Sequence, residues 1–325
     1  MKNNKKYLIS LVAMGIIFVA LAVFVINREW IFDFWRGVGY EPSAELSGMR
    51  DNLTLTDRGK FLFNASRPEL KGRDDFNEMC RSDEDTETAV LGCYTDKTIY
   101  VYDIVDEELK GIRELTLAHE LLHAVWARMS EAEKKGLRND LAQVLKENED
   151  ALRKEIENYE SSDREEELYV RAGTEIKDLP EKLEKHYADV FQNQDRIVEF
   201  YNSYIEVFRK LEAEMDSLMA EMEEIEAMVM QKSEDYKQRT ESLDHEVEAF
   251  NNCANTAGCF VSEGQFRARR NELLAKSQAL NELYDEIDGL INKYNEDVEK
   301  YNSDVLHNNR LIKIVNSNES VEEIE

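Results

Sequence analysis

Proline is scarce in this chain: there are three in 325 residues, the last at Pro180. Beyond it no pyrrolidine ring interrupts the backbone, so nearly half of the sequence is free to run in long helices. Basic side chains are also few, 41 Lys and Arg against 69 Asp and Glu, for a formal net charge of −28. Nucleic acid demands a basic footprint, and peripheral binding to anionic lipid demands a basic patch. Both are excluded as partners. Acid spread along solvated helices accounts for the charge. Cysteine is limited to residues 80, 93, 253 and 259, with no C-x-x-C pair, so zinc held by these thiolates is disfavoured. Their spacing favours two local bridges, Cys80–Cys93 and Cys253–Cys259, among three connectivities. Bridged cysteines point to an oxidising compartment.

Long apolar runs are limited to one, residues 7–26. Its length predicts a transmembrane helix. Lys2, Lys5 and Lys6 precede it, which makes 1–6 a cytoplasmic tail and the bulk of the chain extracytoplasmic, in a single-pass cell-membrane protein. Ala20-Leu21-Ala22 resembles a signal-peptide cleavage site. The run continues through Val23 to Ile26, however, and Trp30, Phe32, Phe34 and Trp35 follow as interfacial aromatics. An uncleaved anchor with a juxtamembrane linker over 27–42 is the expectation.

The composition of the remainder divides it in two. Residues 43–194 form the first domain; within it 43–104 carry most of the turn chemistry, and two short stretches read as strands, Lys60 to Asn64 and the alternating Thr98 to Ile104. A helix is expected from about 107 to Met129. Ser130 with Glu133 forms a capping box for the next, which carries Leu137, Leu141, Leu145, Leu152 and Ile156. Ser162 with Glu165 repeats the signal, and Pro180 suits the first turn of a further helix.

Residues 195–315 form a coiled coil. Tyr201, Phe208, Met215, Met222, Val229, Tyr236, Leu243 and Phe250 recur every seven residues, complemented by Tyr204, Leu211, Leu218 and Ile225 until Lys232 and Arg239 interrupt. A second seam follows, with Phe266, Leu273, Leu280, Ile287, Tyr294 and Tyr301 in one row. Tyr284, Ile291, Val298, Val305 and Ile312 are expected in the other. Matched arms about a 253–259 tip favour an antiparallel hairpin over a parallel inter-chain coil. Such a hairpin offers a surface for a protein partner. An acidic tail occupies 316–325. The expected class is α+β, mostly α: a transmembrane helix, a small domain with a short sheet, and a coiled-coil hairpin.

Residues 119–123 read His-Glu-Leu-Leu-His. On a helix, His119 and His123 share a face at i and i+4, where they can hold one metal ion, and Glu120 lies beside it. A match of this form is expected by chance on the order of once per hundred such chains. Its flanks distinguish it: Leu115, Leu117, Ala118, Leu121, Leu122, Ala124, Val125 and Trp126 make the segment apolar, so the three polar groups are buried or line a cleft.

The pentapeptide resembles the motif of the zincin metallopeptidases. The resemblance covers the motif helix and, more loosely, residues 98–178. It implies zinc as cofactor, His119 and His123 as ligands, Glu120 as general base, and a peptide substrate lying along an edge strand placed at 98–104. The metzincin extension is absent, since Trp126 and Met129 stand where glycine and histidine would be needed. A gluzincin-like third ligand would come from a glutamate on a later helix. Glu167-Leu168-Tyr169-Val170 resembles the E-x-x-small form, and no E-x-x-x-D form occurs between 130 and 190. Glu175 is the alternative, because it falls on an apolar face with Leu168, Ala172 and Leu179. His186 is a weaker candidate. The implied function is a membrane-anchored zinc peptidase. The alternative is a non-catalytic envelope scaffold acting through its hairpin.

Overall fold

A computed structural model describes Met14 and residues 28–80, 90–157 and 159–317. Residues 28–37 are helical (α1). There follow α2 (Ala44–Asn52), α3 (Asp57–Ser66), β1 (Glu69–Lys71), α4 (Arg73–Met79), β2 (Gly92–Thr95), β3 (Thr98–Tyr102) and α5 (Ile112–Trp126). Next come α6 (Glu131–Glu147), α7 (Glu149–Glu157), α8 (Arg164–Glu175), α9 (Glu181–Ala188), α10 (Asp195–Ala254) and α11 (Glu263–Val315). The chain divides into a unit reaching Val207 and resuming at Leu311, and a second unit, Phe208–Arg310. The first therefore takes in both ends of the long helix pair, which the expected boundary at 194 and 195 assigned to the coiled coil.

Among the described residues no helix is long and apolar enough to cross a membrane. The two that are long enough, α10 and α11, carry charges throughout. This corrects the expected fold class and cell-membrane location. The 7–26 segment on which both rested lies, Met14 apart, outside the described residues, as do the 1–6 tail and residues 318–325. The expected linker over 27–42 is also different. Asp33 on α1 is buried and accepts two hydrogen bonds from Arg128, at 2.7 and 2.9 Å, while the same guanidinium donates to the Tyr94 hydroxyl at 2.8 Å.

In the first unit, α5 is the central element. It is buried along Leu115, Leu117, Ala118, Leu121, Leu122, Ala124, Val125 and Trp126 and packs against α8, β2, β3, α3 and α2. The sheet order is β1-β3-β2, β1 parallel and β2 antiparallel to β3. The strand at 98–102 is therefore central, with both edges occupied, and cannot serve as the expected substrate edge. Lys60 to Asn64, read as a strand, is helical in α3. Thr56 caps that helix by accepting from the Gly59 amide at 3.0 Å, a local bond that outweighs the strand pattern. The Ser130–Glu133 capping box forms as expected. The Ser162–Glu165 box does not, since α8 starts at Arg164 behind Asp163. The helix expected from 130 breaks at Asn148 into α6 and α7. Both disulfides, Cys80–Cys93 and Cys253–Cys259, are present and suit an oxidising compartment.

In the second unit α10 and α11 run antiparallel. Lys232 reaches Glu286 at 2.6 Å, Lys276 reaches Glu246 at 2.7 Å, and Phe250, Phe260 and Phe266 cluster at the tip. The row of Leu273, Leu280 and Ile287 is buried as expected. The complementary row is not. Tyr284 and Ile291 are 56% and 42% exposed, while one residue earlier in each of two heptads Leu283 and Asp297 are buried, and Leu290 and Asp304 are half-buried. Asp297 is 3% exposed and paired with Lys293; its charge concealed the seam from a reading based on apolar periodicity.

Candidate metal centre

Helix α5 presents His119 and His123 one turn apart, their Nε2 atoms 3.3 Å from each other. Helix α8 closes over them. Its approach depends on Gly173, where a Cβ would lie 2.6 Å from Leu122 Cδ1 and 2.7 Å from Tyr187 Cε1. Closure places Glu167, 2% exposed, against both imidazoles: Oε2 is 3.6 Å from His123 Nε2 and Oε1 is 3.9 Å from His119 Nε2. One ligand atom from each of the three lies within 4.8 Å of the others, so His119, His123 and Glu167 form a group that could hold a metal ion. The histidines remain partly open to solvent, while the carboxylate does not.

Around this group the acids divide their roles. Glu166 lies 2.7 Å from His123 Nδ1. A carboxylate only accepts, so Nδ1 carries the proton and Nε2 presents its lone pair to Glu167 and His119. Arg171 donates from Nε to Glu167 Oε1 at 2.6 Å and from Nη1 to Glu175 Oε1 at 2.9 Å. Glu175, the alternative third ligand, has a largely covered side chain, 9% exposed, in line with its apolar face, but its partner is Arg171 and it lies outside the group. His186 is elsewhere, with its Nε2 2.9 Å from the Tyr169 hydroxyl.

Glu120 is 5% exposed and faces β2. A Cβ at Gly92 would stand 2.8 Å from its Cγ and Oε1 and 2.6 Å from Thr116 Cγ2, so the strand reaches this carboxyl only because residue 92 has no side chain. Cys93, next along, ties β2 to the end of α4. Burial lifts the Glu120 carboxyl to about 7, with the nearby Glu167 and Glu166 charges adding to the shift. Burial pushes His119 well below the ordinary histidine value, helped by His123 and Arg171. At His123 burial works the same way, but the Glu166 hydrogen bond and the Glu120 and Glu167 carboxylates outweigh it and raise the value.

Comparisons with protein-family models, curated proteins and solved structures found no match. The centre therefore rests on its own geometry. A cavity of about 460 Å³ at the hairpin tip beside Phe250, Phe260 and Arg269 is lined by no comparable cluster; Arg269 there is paired with Glu246 at 2.8 Å.

The sequence pattern missed Glu166 and Arg171. Glu166 carries no pattern of its own beside Glu165 and Glu167, and only the rotation of α8 against α5 sets it at His123 Nδ1. Arg171 did leave a signal, standing four residues from both Glu167 and Glu175.

Glu175 also sets a pH dependence. Burial raises its carboxyl from 4.5 to about 7, against the pull of Arg171. A carboxyl raised in the folded state favours folding below its unfolded value, and that contribution is lost as pH rises through about 7. Glu175→Gln should therefore gain stability relative to wild type between pH 4.5 and 8, by roughly 3 kcal/mol at most. Urea titrations of chelator-treated protein at both pH values check this; an unchanged difference contradicts it.

Proposed function

We propose that this chain is a zinc-dependent peptidase whose metal is held by His119, His123 and Glu167 and whose general base is Glu120. The observation that carries the reading is the convergence of two imidazoles and one buried carboxylate beside a second buried carboxyl. The donor set suits zinc: two imidazoles and a glutamate leave a fourth position open, as catalytic zinc sites require. Nitrogen ligands about 2.0–2.1 Å from one tetrahedral ion stand roughly 3.3 Å apart, which agrees with the observed Nε2 separation. The zincin resemblance of residues 119–123 supports the same reading.

Zinc, when bound, supplies a lowered pKa for water and polarises the scissile carbonyl. The remaining work falls to side chains. Glu120 accepts the water proton on a carboxylate oxygen as the water oxygen adds to the carbonyl carbon. It then returns that proton to the amine as the C–N bond breaks. Glu166 fixes the His123 ring, and Arg171 occupies Oε1 of Glu167, leaving Oε2 turned to the histidines. For the substrate, β2 replaces the strand first expected: among the described residues its outer edge is unpaired, and it passes directly over Glu120. An extended peptide added there would gain ladder hydrogen bonds next to the base.

The test is peptide cleavage by the full chain across a mixed peptide library. Cleavage should require one equivalent of zinc, disappear on chelation and return on adding zinc back. Chelator-insensitive cleavage, or none from zinc-loaded protein, overturns the reading.

A further inference from the structure

The row displaced from the seam of α11 occupies an outward position of unusual composition. It comprises Ser277, Tyr284 and Ile291, which are exposed, and Val298 and Val305, which are half-buried, with no charge in five heptads. Tyr284 touches Tyr236 across the hairpin, ring centroids 6.1 Å apart, so the row continues the apolar surface of the seam outward. Farther out, the neighbouring heptad row is Asn281, Asp288, Asn295, Asn302 and Asn309. These ten positions hold one charged residue, Asp288. In a chain that is 34% charged about three would be expected.

Flanking positions of a two-stranded coiled coil are ordinarily charged. The opposite flank follows that rule, with Lys293 set between Glu221 and Asp297. An apolar strip rimmed by neutral amides is the anatomy of an interface core with its polar rim. The rim also selects the partner. The hairpin unit has 23 acidic against 12 basic side chains, so a basic partner would be best served by an acidic rim, which attracts it. Asparagine instead removes repulsion where a partner of the same sign must approach.

We propose that this face of α11 is the contact through which two copies of the chain associate about a two-fold axis. A two-fold contact requires only that one patch be complementary to itself, which an uncharged strip satisfies. From residue 277 to 309 the strip is about 50 Å long and roughly 10 Å wide. Two copies would bury on the order of 1,000 Å², at the low end for a specific interface and in the size range of reversible contacts.

Sedimentation velocity of the full chain between roughly 1 and 100 µM tests this. The expected result is a monomer–dimer equilibrium that Ile291→Glu with Val298→Glu abolishes. Asn295→Asp with Asn302→Asp, both at exposed positions, should weaken dimerisation about tenfold or more at low ionic strength and lose that effect in high salt. Helicity and zinc content should not change in either variant, which separates this outcome from any result at the metal centre. A monomer throughout, or a dimer indifferent to both pairs of substitutions, overturns the proposal.

Discussion

Glu120→Gln is expected to lower peptide hydrolysis by roughly 10²–10⁴-fold while leaving one equivalent of zinc bound. The amide has the shape of the carboxyl and fits the same space beneath Gly92, where no side chain of larger reach could be accommodated without displacing its neighbours. It cannot take a proton from water. Glu120 is not one of the three residues whose ligand atoms converge, so the metal has no reason to leave. Folding should not suffer either, since the substitution removes a buried group whose ionisation is already disfavoured. The decisive readout is the split between turnover and zinc content. Full activity in the variant would remove Glu120 from the mechanism. Loss of zinc together with activity would make it a ligand rather than the base.

Glu167→Ala is expected to weaken zinc binding by more than about 10²-fold, whereas Glu175→Ala should weaken it by about tenfold. The difference follows from their neighbours. Glu167 faces both imidazoles, while Glu175 meets only Arg171, one residue removed from the group. Removing Glu167 also leaves Arg171 short of a buried partner, and breaking such a pair costs roughly 3–5 kcal/mol. Thermal melts must therefore accompany the titration. Glu167→Gln, which keeps the shape and a hydrogen-bond acceptor for Arg171, serves as the second variant and should lose zinc affinity while remaining folded.

The helix bearing His119, Glu120 and His123 was legible because periodicity and motif spacing are properties of a single helix. The Ser130 capping box, both disulfides and the first seam of α11 were legible for the same reason: each is set by residues near one another in the chain. What remained hidden depends on how elements face each other. The choice of Glu167 over Glu175 follows from the rotation of α8, fixed by Gly173 against Leu122 and Tyr187. The strand expected at an edge, 98–104, is central, and β2 at 92–95 lies at the edge, because β1, three residues long, pairs with β3 from a distance in sequence. The second seam was misread by one residue at Leu283 and Asp297, because Asp297 holds a buried position that an apolar count passes over in favour of the row beside it.

The most direct test of the metal centre is a side-by-side zinc titration of the full chain as wild type, Glu167→Gln and Glu175→Ala. One equivalent bound by wild type and by Glu175→Ala, with binding lost in Glu167→Gln, is the predicted result. Wild-type protein that binds no zinc, or binding that survives in Glu167→Gln and fails in Glu175→Ala, would contradict the assignment of His119, His123 and Glu167.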